Sequence, residues 1–143
     1  MSVALEHVER IDADADTVWP FFRWDNLEAM RPGGFFVGVD YEEQRPIPGA
    51  TRTVTLANGA RLVERLGSQD SVGRRLAYAM LDTGGVPIAD YRGEVVVSAS
   101  GAGVCFVKFS CVCTPVGLTE AEWRATWTAM QVANAAFIRG VVA

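Results

Sequence analysis

The residue with the clearest chemical potential in the sequence is Lys108, the only lysine among 143 residues. It interrupts the apolar segment VCFVKFSCVC, and a lysine beside a carboxylate can orient polar groups or move protons. If this segment is a strand, alternation places four residues on one face: Phe106, Lys108, Ser110 and Val112. The opposite face is purely apolar and consists of Cys105, Val107, Phe109, Cys111 and Cys113. The pattern alone therefore turns the cysteine face inward and predicts that Lys108 is a solvated lysine.

Two other polar residues stand out by position. Asn134 interrupts the apolar stripe of a predicted C-terminal helix, and a buried amide needs hydrogen-bond partners. Contact with a ligand and a structural hydrogen bond to the sheet explain it equally well. His7 is the only histidine, so no Ser-His-Asp set can form, and we expect it to be structural. The Gly-containing segments GFFVG and GGVPIAD lack the phosphate-binding patterns GxGxxG and GxxxxGK.

The three cysteines lie close together in the sequence, at positions 105, 111 and 113. An odd number does not make a disulfide framework. There is no CxxC, and His7 is distant, so the spacing does not predict a metal site. We expect three small buried apolar side chains, and neither a metal nor a cofactor.

Composition narrows the class of protein. Half of the residues are apolar, 21% are charged, and the net charge is −4. This mild acidity argues against nucleic-acid binding and against a polybasic membrane anchor. The sequence contains no run of 18 apolar residues, so no membrane span is predicted. The N-terminal segment MSVALEHVERID carries acidic residues where a signal peptide would be apolar. We therefore predict a cytoplasmic protein with one domain over residues 1–143.

Most of the chain is predicted to form strands. ALEHVERI alternates as a first strand, and six further segments follow between Phe35 and Pro115: FFVGVDYEEQ, ATRTVTLA, ARLVERLGS, RRLAYAML, DYRGEVVVSA and GVCFVKFSCVC. Short turns separate them, which predicts antiparallel pairing. Among these turns, Asn58–Gly59 predicts a tight hairpin in which both central residues have positive φ.

Helices are predicted at two places. DADADTVWPFFRW and DNLEAM predict two short helices after the first strand, with Asp14 or Asp16 as the first N-cap. Thr119 and Glu122 form a capping box before a long helix with one apolar face, made of Trp123, Trp127, Met130, Asn134, Phe137 and Val141. The order of elements predicts an α+β fold, in which the long helix lies across a seven-stranded antiparallel sheet.

Three strings within this order carry a family resemblance. They are IDADADTVWPFF, G-x-R-L-V-E-R-L at residues 59–66, and ADYRGEV at residues 89–95. Over essentially its whole length the chain resembles the Bet v 1/START-like (SRPBCC) superfamily, especially its polyketide cyclase/dehydrase-like members. It is similar, more distantly, to the plant abscisic acid receptors. The resemblance implies a helix-grip fold, a curved sheet around a long helix, with a cavity for a hydrophobic small molecule.

The receptors also suggest individual residues. Their cavity glutamate and tyrosine, in the strings E-R-L and N-Y-R, correspond to Glu64 and Tyr91. Tyr78 falls at the position of a cavity aromatic residue, and Asn134 corresponds to a helix asparagine. Lys108 falls at the position of a cavity glutamate, so the resemblance turns Lys108 inward. The cysteine face would then lie outside and need a cover, as in a homodimer.

Each of these residues also has a simpler explanation. Glu64 is alternatively a surface carboxylate close in sequence to Arg61 and Arg65. The two tyrosines are alternatively ordinary core aromatic residues with satisfied hydroxyls. The chain also departs from the receptors, because their gating loop is shortened to LANGARL and FFVGVDYEEQ lacks their lysine. Hormone sensing by the plant mechanism is therefore not expected.

Two functional hypotheses follow from the resemblance. The first is a cofactor-free enzyme for cyclisation, dehydration or condensation, with Lys108, Glu64 and Tyr91 as catalytic residues. The ligand-binding residues would be Tyr78, Met80, Trp127, Met130 and Asn134. The alternative is a non-catalytic carrier or sensor of a lipid-like or aromatic ligand. A third, weaker hypothesis is a partner-binding module that uses the exposed apolar strand face.

Overall fold

The computed structural model describes all residues from 1 to 143. Its strands are β1 Val3–Ile11, β2 Phe36–Tyr41, β3 Thr51–Leu56, β4 Arg61–Asp70, β5 Arg75–Asp82, β6 Ile88–Ala99 and β7 Cys105–Pro115. Its helices are α1 Ala15–Val18, two 3₁₀ segments at Trp19–Phe22 and Trp24–Gly33, and α2 Glu120–Val142. No helix is both long enough and apolar enough to cross a bilayer.

The seven strands form one antiparallel sheet in the order β1-β7-β6-β5-β4-β3-β2. Strands β2 to β7 pair with their neighbours in sequence, and β1 pairs with β7. The short helices connect β1 at one edge of the sheet to β2 at the other edge. The predicted helix-grip fold is confirmed.

Helix α2 begins with the predicted capping box. The Thr119 side chain accepts a hydrogen bond from the Glu122 backbone N–H, and the Glu122 carboxylate accepts one from the Thr119 N–H. Its buried residues are Trp123, Trp127, Gln131, Ala135 and Ile138. This face is rotated slightly from the predicted stripe, so that Val141 is exposed. The helix packs mainly against β1, with further contacts to β7, α1 and the Trp24–Gly33 segment.

The start of α1 differs from its prediction. Asp14 occupies the N-cap position, but its side chain makes no capping hydrogen bond. Its carboxylate accepts instead from the backbone N–H of Gly103, at 2.7 Å, in the turn before β7. Pro20 then enters the following 3₁₀ segment near its first position, where a missing N–H is tolerated. Asp14 therefore joins two distant parts of the chain rather than capping its own helix.

The hairpin between β3 and β4 is confirmed, but its turn type was predicted wrongly. Only Gly59 has positive φ, at +87°, and Asn58 does not. The N–H of Leu56 bonds to the carbonyl of Ala60, which makes a three-residue loop with one left-handed glycine. This loop sets the register that places Arg52 directly opposite Glu64.

The orientation of β7 decides between the two sequence-based predictions for Lys108. All five residues of its apolar face are buried, namely Cys105, Val107, Phe109, Cys111 and Cys113. Lys108 lies on the opposite, outer face, between Val8 of β1 and Val96 of β6. The inward placement implied by the plant receptors is wrong. It would expose five apolar side chains and bury one ammonium group, and both changes cost free energy. The cysteine face is covered by the protein itself, so the reason for expecting a second subunit over it no longer applies.

The interior contains two apolar clusters. A large one is formed by β1, β4 to β7, the short helices and α2, and a small one contains Phe36, Val54, Leu56 and Leu62. Along the inner face of β4, Leu62 belongs to the small cluster and Leu66 to the large one. Glu64 lies between them and is itself buried. A charged residue therefore marks the boundary between the two clusters.

The buried cysteines give a first prediction, on thiol reactivity. Burial raises the pKa of Cys111 to about 12, and it also raises the pKa of Cys105 and Cys113. Because the thiolate is the reactive form, the folded protein should not react with an aromatic disulfide reagent at mildly alkaline pH. All three thiols should react after denaturation.

A Ser98→Cys variant provides the control, since Ser98 is exposed on the outer face of β6. Its single added thiol should react rapidly in the folded protein. Equally rapid reaction of the native cysteines would contradict their burial.

Candidate functional site

The centre of the candidate site is an ion pair between the two strands of the β3–β4 hairpin. Nε of Arg52 donates to Oε1 of Glu64 at 2.9 Å, and the two side chains are 5% and 9% exposed. The pair lies on the inner face of the sheet. Arg52 shares its face of β3 with buried Val54, and Glu64 shares its face of β4 with buried Leu66. In a low-dielectric interior such a pair is stable only with good geometry and further hydrogen bonds.

Those further contacts come from Trp24, at the start of the second 3₁₀ segment. Nη1 of Arg52 donates to the Trp24 carbonyl at 2.8 Å, and the guanidinium lies 4.0 Å from the centre of the indole ring. The same carbonyl accepts a hydrogen bond from the Tyr41 hydroxyl at 2.7 Å. Arg52 therefore holds the connection between β1 and β2 against the sheet.

One edge of the ion pair remains open. Nη2 of Arg52 and Oε2 of Glu64 make no hydrogen bond within the protein. The only fully buried side-chain nitrogen or oxygen atoms without a partner are the indole nitrogens of Trp19 and Trp123. Nη2 and Oε2 must therefore be reachable by water or by a ligand. The pair therefore keeps one donor atom and one acceptor atom without a partner in the protein, on the inner face of the sheet.

Two tyrosines lie beside this pair. The Tyr78 and Tyr91 rings have centroids 6.0 Å apart, and Nε1 of Trp127 on α2 donates to the Tyr91 hydroxyl at 3.2 Å. Burial raises the pKa of Tyr78, and the nearby negative charge of Glu64 raises it further. Burial likewise raises the pKa of Tyr91 well above its ordinary value. Both hydroxyls are therefore neutral hydrogen-bonding groups across the physiological pH range.

A glycine makes room for the Tyr78 ring. Gly93 faces Tyr78 across the β5–β6 pair, and a Cβ at Gly93 would lie 2.7 to 2.8 Å from three atoms of the tyrosine side chain. No side chain larger than hydrogen fits there without moving the ring. The absence of a side chain at Gly93 thus lets the Tyr78 ring lie against the sheet at this point.

The remaining predicted ligand-binding residues surround these polar groups. Met80 is opposite Glu64 on β5 and contacts both apolar clusters. Trp127 is buried on α2, whereas Met130 and Asn134 are partly exposed on the same helix. The side chain of Asn134 makes one hydrogen bond, from its amide nitrogen to Gln131 of the same helix at 3.3 Å, and none to the sheet.

Of the three predicted catalytic residues, the structure brings two to the same face. Glu64 and Tyr91 are both buried on the inner face. Lys108 is separated from them by the sheet, so a Lys108–Glu64 pair does not form. The partner of Glu64 is Arg52, which was not among the predicted site residues.

A signal for Arg52 is present in the sequence, since alternation in TRTVTL places it with Val54 and Leu56 on an apolar face. Its pairing with Glu64 was hidden by the predicted turn. A two-residue Asn58–Gly59 loop would place Arg52 opposite Arg65. Only the observed three-residue loop shifts the register to Glu64.

Other features lie away from this site. His7 contacts Glu9 at 2.7 Å, and Glu9 contacts Arg139 at 3.0 Å, along the seam between β1 and α2. One groove of about 760 Å³ follows the outward face of α2, and another of about 630 Å³ crosses the outer face of the sheet. Neither groove includes Arg52 or Glu64.

The fold and this arrangement of residues can be compared with known proteins. A family model for polyketide cyclases/dehydrases and lipid transport matches residues 2–142. The chain belongs to this family. This membership confirms the resemblance to the superfamily that the three sequence strings carry. It also indicates ligand binding at the level of the family. No curated protein matches the sequence significantly.

Solved structures agree with this assignment. An uncharacterized protein from Bacillus thuringiensis superposes with a TM-score of 0.84 at 15% identity, over 97% of this chain and 98% of that chain. The protein XoxI from Bacillus cereus gives 0.84 at 16% identity, over 97% and 94%. Norcoclaurine synthase from Thalictrum flavum gives 0.77 at 20% identity, over 99% and 87%. At these identities the similarity establishes a shared fold.

The buried ion pair gives a prediction on stability. Replacing Arg52 by Met leaves the Glu64 carboxylate buried without its partner, which costs about 3–5 kcal/mol. The double variant Arg52→Leu/Glu64→Leu removes both charges and should recover most of that loss. Urea denaturation of the wild type, the single variant and the double variant measures these differences.

The exposed pair of Arg75 and Glu94, at 2.9 Å, is the matched control. Arg75→Met should cost less than about 1 kcal/mol, because water screens an exposed pair. If Arg52→Met lowers the free energy of unfolding no more than Arg75→Met does, the buried pair contributes no more to stability than an exposed pair.

The contact between Gly93 and Tyr78 gives a third prediction. Gly93→Ala should destabilise the protein by about 1–3 kcal/mol, because overpacking forces the ring to move. Gly38→Ala is the control, since a Cβ there has no neighbour within 4 Å. A Gly93→Ala/Tyr78→Leu double variant should regain stability in thermal unfolding. Equal unfolding temperatures for the two alanine variants would show that the ring does not occupy this position.

Proposed function

We propose that the protein binds a hydrophobic small molecule in its interior, between the inner face of β3 to β5 and helix α2. The observation that carries this proposal is the open edge of the Arg52–Glu64 pair. Both side chains are buried, yet Nη2 of Arg52 and Oε2 of Glu64, which remain reachable by water or a ligand, have no partner within the chain. A bound ligand with a polar group would supply those partners.

The surroundings of the pair support this location. Helix α2 packs mainly against β1, at the edge of the sheet opposite β2 and β3. Several apolar side chains that pack against the small cluster next to the pair are only partly buried, as expected for the wall of a binding site: Leu27, Met30, Met80 and Val86. Such a mixture of apolar walls and a few polar groups is typical of small-molecule sites.

Each residue then has a role in binding. Arg52 and Glu64 recognise the polar end of the ligand, and the Tyr78 hydroxyl adds a neutral donor beside them. Tyr91 is held by Trp127 and supports the position of Tyr78. Met80, Met130 and Asn134 contact the body of the ligand. Lys108, on the outer face, takes no part.

This arrangement favours a carrier or sensor over an enzyme. Proton transfer near neutral pH needs a group whose pKa lies in that range. The pKa values of both tyrosines are raised away from it, and the Glu64 carboxylate already accepts a hydrogen bond from Arg52. The groups are therefore better suited to holding a ligand than to moving its protons.

A second candidate function is cofactor-free cyclisation, dehydration or condensation of the bound molecule. It is favoured by the free Oε2 of Glu64, which could accept a proton while the Tyr78 hydroxyl donates a hydrogen bond to a developing oxyanion. Norcoclaurine synthase, which shares the fold, has been solved in complex with dopamine and hydroxybenzaldehyde. In this chain the pair of Glu64 and Tyr78 would then be catalytic.

Mass spectrometry of small molecules captured from an extract of the source cells tests both functions. We expect a hydrophobic molecule that is retained by the wild-type protein and released with its mass unchanged. A released molecule with a changed mass, such as the loss of water, would instead establish catalysis. Failure to retain any small molecule would overturn the proposal.

Two variants locate the binding site in the same experiment. Lys108→Ala should retain the molecule as well as the wild type does, because Lys108 lies on the outer face. The Arg52→Leu/Glu64→Leu variant should retain much less of it. If Lys108→Ala abolishes retention while the double variant preserves it, the site lies on the other side of the sheet.

A further inference from the structure

The charge of the candidate site restricts the ligand beyond its being hydrophobic. The two charged groups of the candidate site are Arg52 and Glu64, and they compensate each other at 2.9 Å. The two tyrosines beside them are neutral. Lys108 is on the outer face, as are Arg61 and Arg65, which are exposed and alternate with the inward residues of β4. The site therefore has a formal charge of zero.

We infer that the ligand is electrically neutral and that the end bound at Arg52 and Glu64 carries a hydroxyl group or an enolised carbonyl group. This inference rests on the proposed function, and it names the chemical class that the same site selects. A hydroxyl group is both a donor and an acceptor. It can accept a hydrogen bond from Nη2 of Arg52 and donate one to Oε2 of Glu64, the two atoms of the pair that lack a partner.

A carboxylate does not fit this edge. It could accept from Nη2, but it would place a second negative charge beside Oε2 of Glu64, where burial weakens the screening by water. Displacing Glu64 from Arg52 does not solve the problem, because Glu64 would then be left buried and unpaired. Free fatty acids and other carboxylates are therefore disfavoured.

An ammonium group is disfavoured for the converse reason. It could donate to Oε2 of Glu64, but it would lie beside the guanidinium of Arg52. That guanidinium cannot move away easily, because Nη1 is bonded to the Trp24 carbonyl and the group stacks on the indole ring. Arginine also keeps its charge at any accessible pH.

Matched probes that differ only in the polar group test this inference. Decanol, decanoate and decylammonium form an aliphatic set, and 2-naphthol, 2-naphthoate and naphthylmethylammonium form an aromatic set. Displacement of the neutral dye Nile red reports binding of each probe to the folded protein. We expect the alcohol of at least one set to bind at least tenfold more tightly than its two charged analogues.

The Glu64→Gln variant changes the charge of the site with little change in shape. It leaves the positive charge of Arg52 uncompensated, so the carboxylate probe should gain affinity and bind more tightly than the alcohol. The Arg52→Leu/Glu64→Leu variant should bind the three probes of a set with similar affinity. Thermal unfolding shows that each variant is folded before it is compared.

The outcomes separate this inference from the proposed function. If the wild-type protein binds the carboxylate or the ammonium probe most tightly, the inference of a neutral ligand is wrong while binding in the interior stands. Equal binding of all probes by wild type and Glu64→Gln would show that the pair is purely structural. If neither Nile red nor any probe binds, the proposed function itself is wrong.

Discussion

A guanidinium and a carboxylate are buried between the two apolar clusters of the interior, and much of the local structure follows from their need for partners. Removing two charges from water costs several kcal/mol per ion, and their attraction compensates only with good geometry. Arg52 obtains that geometry from three sources: Glu64, the Trp24 carbonyl and the Trp24 ring. The Trp24–Gly33 segment is therefore positioned by an electrostatic requirement of the sheet as well as by apolar packing.

That requirement depends in turn on the register of a single hairpin. The left-handed conformation of Gly59 closes a three-residue loop and aligns Arg52 with Glu64. A shift by one residue would bring Arg52 opposite Arg65 and would turn one strand's inward residues outward. The backbone conformation of one glycine on the surface thus decides whether two buried charges compensate each other.

The fold was predictable because its signals are redundant. Alternation marks every strand, short turns imply antiparallel neighbours, and the Thr119–Glu122 capping box marks the start of α2. Each of these signals is local, and an error in one turn type does not change the architecture. The orientation of β7 was also predictable from the residues, since its apolar face contains five consecutive inward positions.

The site was less predictable because it depends on register and on contacts between distant segments. Glu64 and Tyr91 were identified through motif resemblance, and they do lie on the inner face. Lys108 was misplaced because correspondence with another family does not conserve the face of a strand when the local apolar pattern differs. Arg52 was missed because its significance arises only opposite Glu64, and that pairing requires the correct loop length. The contact of Arg52 with Trp24, 28 residues earlier in the chain, leaves no trace in local periodicity.

A purely structural ion pair and a ligand-binding one differ in what their unused atoms face. For a structural pair, the most stable arrangement is one in which the protein satisfies every donor and acceptor, because each unpaired buried group costs free energy. Three atoms of the Arg52–Glu64 pair, Nε, Nη1 and Oε1, are satisfied in this way, and they hold the side chains rigidly. Nη2 and Oε2 have no partner within the protein. Such rigid side chains with one free edge are preorganised for binding, because a ligand gains two hydrogen bonds without the entropic cost of ordering either group.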